Sequence, residues 1–129
     1  MKIDRLGRAL SLQLAAGRLA IGGATLFATR PALRALGYGE SDGAGRALAK
    51  ALGGRDLALG ALTVASRDDR SALPAATLAA AALDAADTVS FALALRDPQL
   101  RRAAVGGVVS AGAAAGAGLW AWRRLSRSG

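Results

Sequence analysis

Five ionisable side chains interrupt stretches of the chain that are otherwise mostly apolar. They lie at or near the middle of runs long enough to form helices across a lipid bilayer, and they are Arg18, Arg55, Asp56, Asp84 and Asp87. A charge at that depth costs several kcal/mol unless an opposite charge pairs with it. We therefore predict that these side chains face the interior of a helical bundle and pair there.

The spacing of the acidic residues places them on one face of one helix. Asp84, Asp87 and Thr88 occupy positions i, i+3 and i+4, which are neighbours on a helix surface. Arginine is well suited to meet a carboxylate in a two-pronged contact. We predict that Arg18 pairs with Asp84 or with Asp87.

The predicted cluster has two arginines and three aspartates. Arg55 and Asp56 are neighbours in the sequence, so we expect their side chains to point in different directions. Asp84 and Asp87 lie one turn apart and repel each other, which makes them candidates for acid catalysis or proton transfer. The alternative is that the cluster only holds the helices in register. The candidate ligand-binding or buried polar residues are Arg18, Arg55, Asp56, Asp84, Asp87 and Thr88.

The composition excludes several kinds of active site. The 129 residues include no Cys and no His, so disulfide scaffolds, thiol catalysis and histidine-based triads are excluded. The sequence contains no phosphate-binding loop, nucleophile elbow or set of metal ligands, and we predict no metal and no cofactor. The 17 Lys and Arg residues are spread along the chain without interleaved aromatic residues, which argues against nucleic-acid binding.

The apolar runs that carry these charges have the length of membrane-spanning helices. Residues 103–122 contain no charge, and twenty helical residues extend about 30 Å, the thickness of the hydrocarbon core. Trp120 and Trp122 stand at the end of this run beside two arginines, as interfacial anchors do. Further spans are predicted at 9–29 and 71–95.

The stretch 46–66 is the weakest of the four predicted spans. It contains two more basic residues, Arg46 and Lys50, and a Gly53-Gly54 pair that predicts a break between an interfacial half and a membrane half. A re-entrant or surface helix is the alternative for this stretch. Counting it as a span, we predict one all-α domain of residues 1–129, a four-helix transmembrane bundle in the lipid bilayer.

The number of spans and the flanking charges predict an orientation. An even number of spans places both termini on the same side of the membrane. Eight Lys and Arg residues, Lys2 among them, flank the side of the termini, and seven flank the other side. We therefore predict a multi-pass protein of the inner (plasma) membrane with cytoplasmic termini.

Small residues recur every four positions along the last predicted span. Such a pattern lets helices approach closely in lipid, either within one chain or between two copies. The pattern is compatible with packing within one chain and with a homodimer. The residues concerned are Gly106, Ser110, Gly112, Ala114, Gly116 and Gly118.

Residues 46–60 resemble a stretch found in small four-helix integral membrane proteins of high-GC bacteria. In that family an Ala-Arg-x-Leu-Ala run leads into Gly-x-Arg-Asp-x-x-Leu-Gly, a pattern that residues 53–60 match. Residues 28–31, Ala-Thr-Arg-Pro, followed by Leu33, Arg34 and Gly37, look like the end of the first span in the same proteins. The resemblance implies four spans, with 46–66 as one of them, and it implies no activity.

These patterns leave two classes of function. We predict a small integral membrane protein with a structural or accessory role. The alternative is a membrane enzyme or a proton-coupled transporter built around Asp84, Asp87 and Arg18. An enclosed pocket beside Asp84, large enough for a small ligand, would favour the alternative, whereas a sealed ion pair would favour the structural role.

Overall fold

A computed structural model describes residues 3–128 of the chain, and Lys2 of the predicted charge bias lies outside the described residues. Within this range the fold is all-α and has no strand. Its five helices are α1 (Arg5–Phe27), α2 (Thr29–Ala35), α3 (Gly43–Ala65), α4 (Ala72–Ala94) and α5 (Arg101–Arg127).

Three of the long helices are apolar enough to cross a membrane. These are α1, α4 and α5, which correspond to the predicted spans 9–29, 71–95 and 103–122. Helix α3 corresponds to the predicted span 46–66 and has the same length as α1 and α4, 23 residues. It carries four charged side chains, however, and is not among the three helices that are apolar enough to span a membrane. Hydropathy thus supports three of the four predicted spans. The predicted break at Gly53-Gly54 is wrong, because α3 runs through both glycines without interruption.

A short helix that the sequence did not predict follows α1. The backbone of Ala28 leaves the helical conformation, with φ −126° and ψ 51°, so α1 ends at Phe27 and α2 begins at Thr29. The Thr29 hydroxyl donates a hydrogen bond to the carbonyl of Thr25 at 2.8 Å and thereby ties the start of α2 to the last turn of α1.

Helix α2 ends where glycine allows a left-handed turn. Gly37 has φ +89°, a conformation that costs glycine little and other residues more. The N–H of Gly37 donates to the carbonyl of Arg34 at 3.1 Å, and that of Tyr38 to the carbonyl of Leu33 at 2.9 Å, as in a Schellman motif. The turn places Gly37 beside Ala103, at the start of α5.

Aspartates accept hydrogen bonds from backbone N–H groups at the starts of three long helices, and the N-cap of α1 is Asp4, whose carboxylate accepts from the N–H of Gly7 at 2.6 Å. The carboxylate of Asp42 accepts a hydrogen bond from the N–H of Gly45 at 2.7 Å at the start of α3. Before α4, the carboxylate of Asp69 accepts hydrogen bonds from the N–H groups of Ala72 and Ser71, at 2.9 and 2.8 Å. The hydrogen bond from Ala72, followed by those from Ser71, lowers the pKa of the Asp69 carboxyl.

The two ends of the chain meet at one end of the bundle. The carboxylate of Asp4 accepts two hydrogen bonds from the Arg124 guanidinium, at 2.9 and 3.0 Å, which lower the pKa of the Asp4 carboxyl. The same guanidinium lies 5.2 Å from the ring centre of Trp120. Arg8 binds Asp68 at 2.6 Å, so the loop between α3 and α4 lies at this end as well.

Glycines allow the helices to pack closely in antiparallel pairs. A Cβ atom added to Gly22 of α1 would lie 2.6 Å from the carbonyl oxygen of Gly53 and 2.9 Å from the amide nitrogen of Leu57, both in α3. In the pair of α4 and α5, a Cβ atom on Gly118 would lie 2.9 Å from that of Ala81. Contacts between α1 and α5 join the two pairs.

The interior of the bundle is built from small side chains, and the large apolar ones point outward. Among the described residues, three large apolar side chains are buried, those of Leu33, Leu73 and Leu125. Fifteen others are exposed, and they occur on each of the four long helices. Ala residues and the hydroxyl groups of Ser11 and Thr77 occupy much of the space between the helices. This distribution is the opposite of that in a water-soluble domain.

The close crossing of α1 and α3 predicts the effect of a single methyl group. We expect Gly22→Ala to force the two backbones apart and to lower the free energy of unfolding by roughly 1–3 kcal/mol. The measurement is unfolding of the purified protein in mixed detergent micelles. Gly17→Ala is the matched control in the same helix, because a Cβ atom there has no neighbour within 4 Å. Equal stability of the two variants would contradict the close crossing.

Candidate functional site

Arg18 of α1 reaches across the interior to α4. Its guanidinium donates hydrogen bonds to the carboxylate of Asp84 and, at 3.1 Å, to the backbone carbonyl of Ala80. The Arg18 and Asp84 side chains are each 11% exposed. The predicted pairing of Arg18 with Asp84 or Asp87 is therefore confirmed, with Asp84 as the partner. The sequence could not predict the contribution of Ala80, because every residue type has a backbone carbonyl.

A second arginine pairs with the other aspartate of α4. Two nitrogens of the Arg55 guanidinium donate to the two carboxylate oxygens of Asp87, at 2.7 and 3.2 Å. These side chains are more open than the first pair, since Arg55 is 28% exposed and Asp87 is 30% exposed. The pair lies between α3 and α4, and the rest of that helix interface has few contacts.

Asp56 joins the two pairs into one network. One of its carboxylate oxygens accepts hydrogen bonds from Arg18 at 3.4 Å and from Arg55 at 3.3 Å. The expectation that Arg55 and Asp56 point in different directions is wrong for their charged ends, because the long arginine side chain bends back toward its neighbour. We call the five side chains of Asp84, Arg18, Asp56, Arg55 and Asp87 the ion network. With every group ionised, its net charge is −1.

The polar residues around the ion network form hydrogen bonds of a different kind. The hydroxyl of Thr88, a predicted member of the cluster, donates to the backbone carbonyl of Asp84 at 2.7 Å within α4. The hydroxyl of Thr77 lies 3.0 Å from that of Ser11 and links α4 to α1 in the buried interior. Within residues 3–128, the Nε atom of Arg55 is the one buried side-chain polar atom without a hydrogen-bond partner.

The space beside Asp84 is too small for a substrate. The cavity that Arg18, Asp84 and Thr77 line has a volume of about 10 Å³. A single water needs at least about 10–15 Å³, and binding pockets for small molecules measure about 300–1,000 Å³. Within the described part of the chain, no group of three or more carboxylates is arranged to hold a metal ion. The arrangement is that of a closely packed ion network.

The small residues of α5 divide between two faces of the helix. Gly118 packs against Ala81, and a Cβ atom added to Gly112 would lie 3.7 Å from the Cγ2 atom of Thr88. A Cβ atom on Gly106 or Gly116 would meet nothing within 4 Å, and Ser110 and Gly116 are exposed. Gly107, which the four-residue pattern did not include, packs against the ring of Phe91 in α4. Packing within the chain uses one face, and a homodimer through the other face stays a prediction.

Comparisons of the chain with protein-family models, with curated proteins and with solved structures find no match. The resemblance of residues 46–60 to small four-helix membrane proteins stays a prediction. Three features of the molecule therefore define the class of protein, namely its five helices, the outward distribution of its large apolar side chains and the ion network.

The ion network predicts a specific pattern of coupling between substitutions. Arg18→Leu leaves Asp84 buried without its partner, and we expect it to lower the free energy of unfolding by roughly 3–5 kcal/mol. Arg18→Leu combined with Asp84→Asn should recover part of this loss, because no unpaired charge is then left at that site. Arg18→Leu combined with Asp87→Asn should recover none, because Asp87 binds Arg55.

A double-mutant cycle in detergent micelles measures this coupling. The control cycle uses Arg34 and Glu40, an ion pair whose side chains are 68% and 93% exposed. We expect a coupling energy of about 0–1 kcal/mol for this exposed pair. Equal coupling in the two cycles, or additive losses in the Arg18 and Asp84 cycle, would contradict the pairing.

Proposed function

We propose that this chain is a small integral membrane protein, a four-helix transmembrane bundle with a structural or accessory role. The observation that carries the proposal is the ion network, which joins α1, α3 and α4 at one level of the bundle. Each of its five charges has an opposite charge within 3.4 Å. Pairing of this kind compensates for removing the charges from water.

The surface of the bundle supports a lipid environment. Exposed large apolar side chains outnumber buried ones by fifteen to three in the described part of the chain. In water an apolar surface of this extent would drive association, whereas lipid tails solvate it. The interior of Gly, Ala, Ser and Thr is the kind that lets helices approach closely in a bilayer.

The charges of α3 are compatible with its proposed role as the fourth span. Arg55 and Asp56 enter the ion network, so each of their charges is paired with an opposite charge in the bundle. Arg46 and Lys50 belong to the first eight residues of the helix, where long basic side chains can extend to the membrane interface. Mean hydropathy scores the four charged residues by type, without regard to their partners or positions, and therefore underestimates how well α3 fits a membrane.

A structural role agrees with the close packing around Asp84, where a cavity of about 10 Å³ admits no ligand. A proton-coupled transporter is the second candidate, and one observation favours it. The Arg55 and Asp87 pair is nearly three-tenths exposed, so the ion network can be reached from outside the bundle. We propose the inner (plasma) membrane as the location, with both termini in the cytoplasm.

Single introduced cysteines test the number of spans. The chain itself contains no cysteine, so each variant has one position that a thiol reagent can label. We expect Ile3→Cys and Ser126→Cys to be protected together from a membrane-impermeant maleimide in intact cells, while Gln99→Cys is labelled. Four spans place both termini on the cytoplasmic side. Labelling of only one of the two terminal positions would indicate three spans, with α3 outside the bilayer.

Alkaline carbonate washing of membranes is the companion experiment for integration. We expect the protein to remain in the membrane pellet, because at least three helices cross the hydrocarbon core. A peripheral protein treated in parallel should appear in the supernatant. Release of this protein into the supernatant would contradict the membrane proposal as a whole.

The structural and transport roles differ in proteoliposomes. If the ion network is structural, a pH gradient across vesicles that contain the protein should decay at the same rate as in protein-free vesicles. The measurement is the fluorescence of a pH-sensitive dye inside the vesicles. A faster decay that disappears in Asp87→Asn, with the variant still folded by circular dichroism, would overturn the structural role in favour of the transporter.

A further inference from the structure

A cavity of about 520 Å³ opens to the surface between the start of α2 and the first half of α3. Its lining brings together three basic side chains and one aromatic ring. Arg30 belongs to α2, Arg46 and Lys50 belong to α3, and Phe27 is the last residue of α1. The Phe27 side chain is strongly exposed, with 83% of the residue accessible. The cavity thus combines positive charge with an unburied apolar surface.

The positive charge of this cavity is not neutralised by the protein. None of the ion pairs within residues 3–128 includes Arg30, Arg46 or Lys50. Glu40, in the loop after α2, pairs with Arg34. This loop also orients one of the cations, since a terminal nitrogen of Arg46 donates to the backbone carbonyl of Ser41.

Two basic cavities at the other end of the bundle each contain a carboxylate that pairs with an arginine. One of them contains Asp4, which binds Arg124, and another contains Asp68, which binds Arg8. The lining of the cavity between α2 and α3 contains no acidic residue. An anionic ligand would therefore find three cations in this lining, while Glu40, which lines the neighbouring cavity with Arg30 and Arg46, pairs with Arg34.

The register of the helices gives the depth of the cavity. Gly22 and Gly53 mark the crossing of the antiparallel helices α1 and α3. Phe27 follows Gly22 by five residues and is therefore level with the part of α3 about five residues before Gly53, between Arg46 and Lys50. Since α1 ends at Phe27, this level is the end of an apolar helix, where the hydrocarbon core of a bilayer meets the headgroups.

We propose that this cavity binds one anionic phospholipid, with its phosphate on Arg30, Arg46 and Lys50 and an acyl chain along Phe27. The inference rests on the proposed membrane function, because a lipid meets this level of the protein only when α1 spans the bilayer. Two arginines offer planar, two-pronged donors for phosphate oxygens, and Lys50 adds a point charge that reaches outward from α3. The apolar side of the ligand is met by the exposed ring of Phe27.

Native mass spectrometry of the protein in detergent micelles tests the site. The probe is palmitoyl-oleoyl-phosphatidylglycerol, compared with the phosphatidylcholine that has the same chains. We expect the wild-type protein to retain one phosphatidylglycerol molecule in preference to phosphatidylcholine. The triple variant Arg30→Gln, Arg46→Gln, Lys50→Gln should bind phosphatidylglycerol on the order of 100-fold more weakly, from about a fivefold contribution per charge.

The matched control removes three charges from the same end of the bundle. It carries Arg96→Gln, Arg101→Gln and Arg102→Gln, three exposed positions that have no carboxylate partner among the described residues. We expect it to bind phosphatidylglycerol as the wild type does, and circular dichroism checks that both triple variants are folded. Equal loss of binding in the two variants would overturn the proposal, because it would indicate general attraction between charges.

Two further outcomes separate the possible errors. Competition by inorganic phosphate as strong as by the lipid itself would overturn the assignment to a lipid, since the acyl chain would then contribute nothing. Wild-type protein that resists carbonate extraction but binds both lipids equally would overturn this inference and leave the proposed membrane function intact. Phe27→Ala should weaken lipid binding several-fold without changing the preference for the anionic headgroup.

Discussion

The contact of Arg18 with Asp84 joins α1 to α4 through an interior that contains few large side chains. Asp56 and Arg55 extend this contact to α3, and Asp87 closes the network on α4. Without α1, Asp84 would be buried without a partner, at a cost of several kcal/mol, and without α3, Asp87 would lose Arg55. The ion pairs therefore constrain which faces of α1, α3 and α4 meet and at which level.

Close approach of the backbones makes this network possible. Because Gly22 and Gly53 have no side chains, α1 and α3 come near enough for Asp56 to reach Arg18. A bundle with large apolar residues at these positions would separate the helices and lengthen the ion pairs. The small residues and the charges thus act together. Small side chains fill the interior, and fifteen large apolar side chains, most of them Leu or Val, are exposed where a bilayer would solvate them.

Much of the architecture was predictable from runs of apolar residues. The predicted spans 9–29, 71–95 and 103–122 coincide with α1, α4 and α5 to within a few residues, except that α5 extends to Arg127. Such runs are read directly from the sequence, because a helix rises by a constant amount per residue. The division of the first connection into α2 and a loop was not predictable, since it depends on the backbone of Ala28 and on the left-handed turn at Gly37.

Two properties could be read from the order of residues alone, namely that the chain is helical and that oppositely charged residues share one depth, because residue type and distance along the chain decide both. It did not distinguish Asp84 from Asp87 as the partner of Arg18, since one turn of helix presents both on the same face. The packed helices select Asp84, and they also bring Asp56 into the ion network and the carbonyl of Ala80 onto Arg18. A contact between side chains depends on the rotation and separation of two helices, and only their packing sets these.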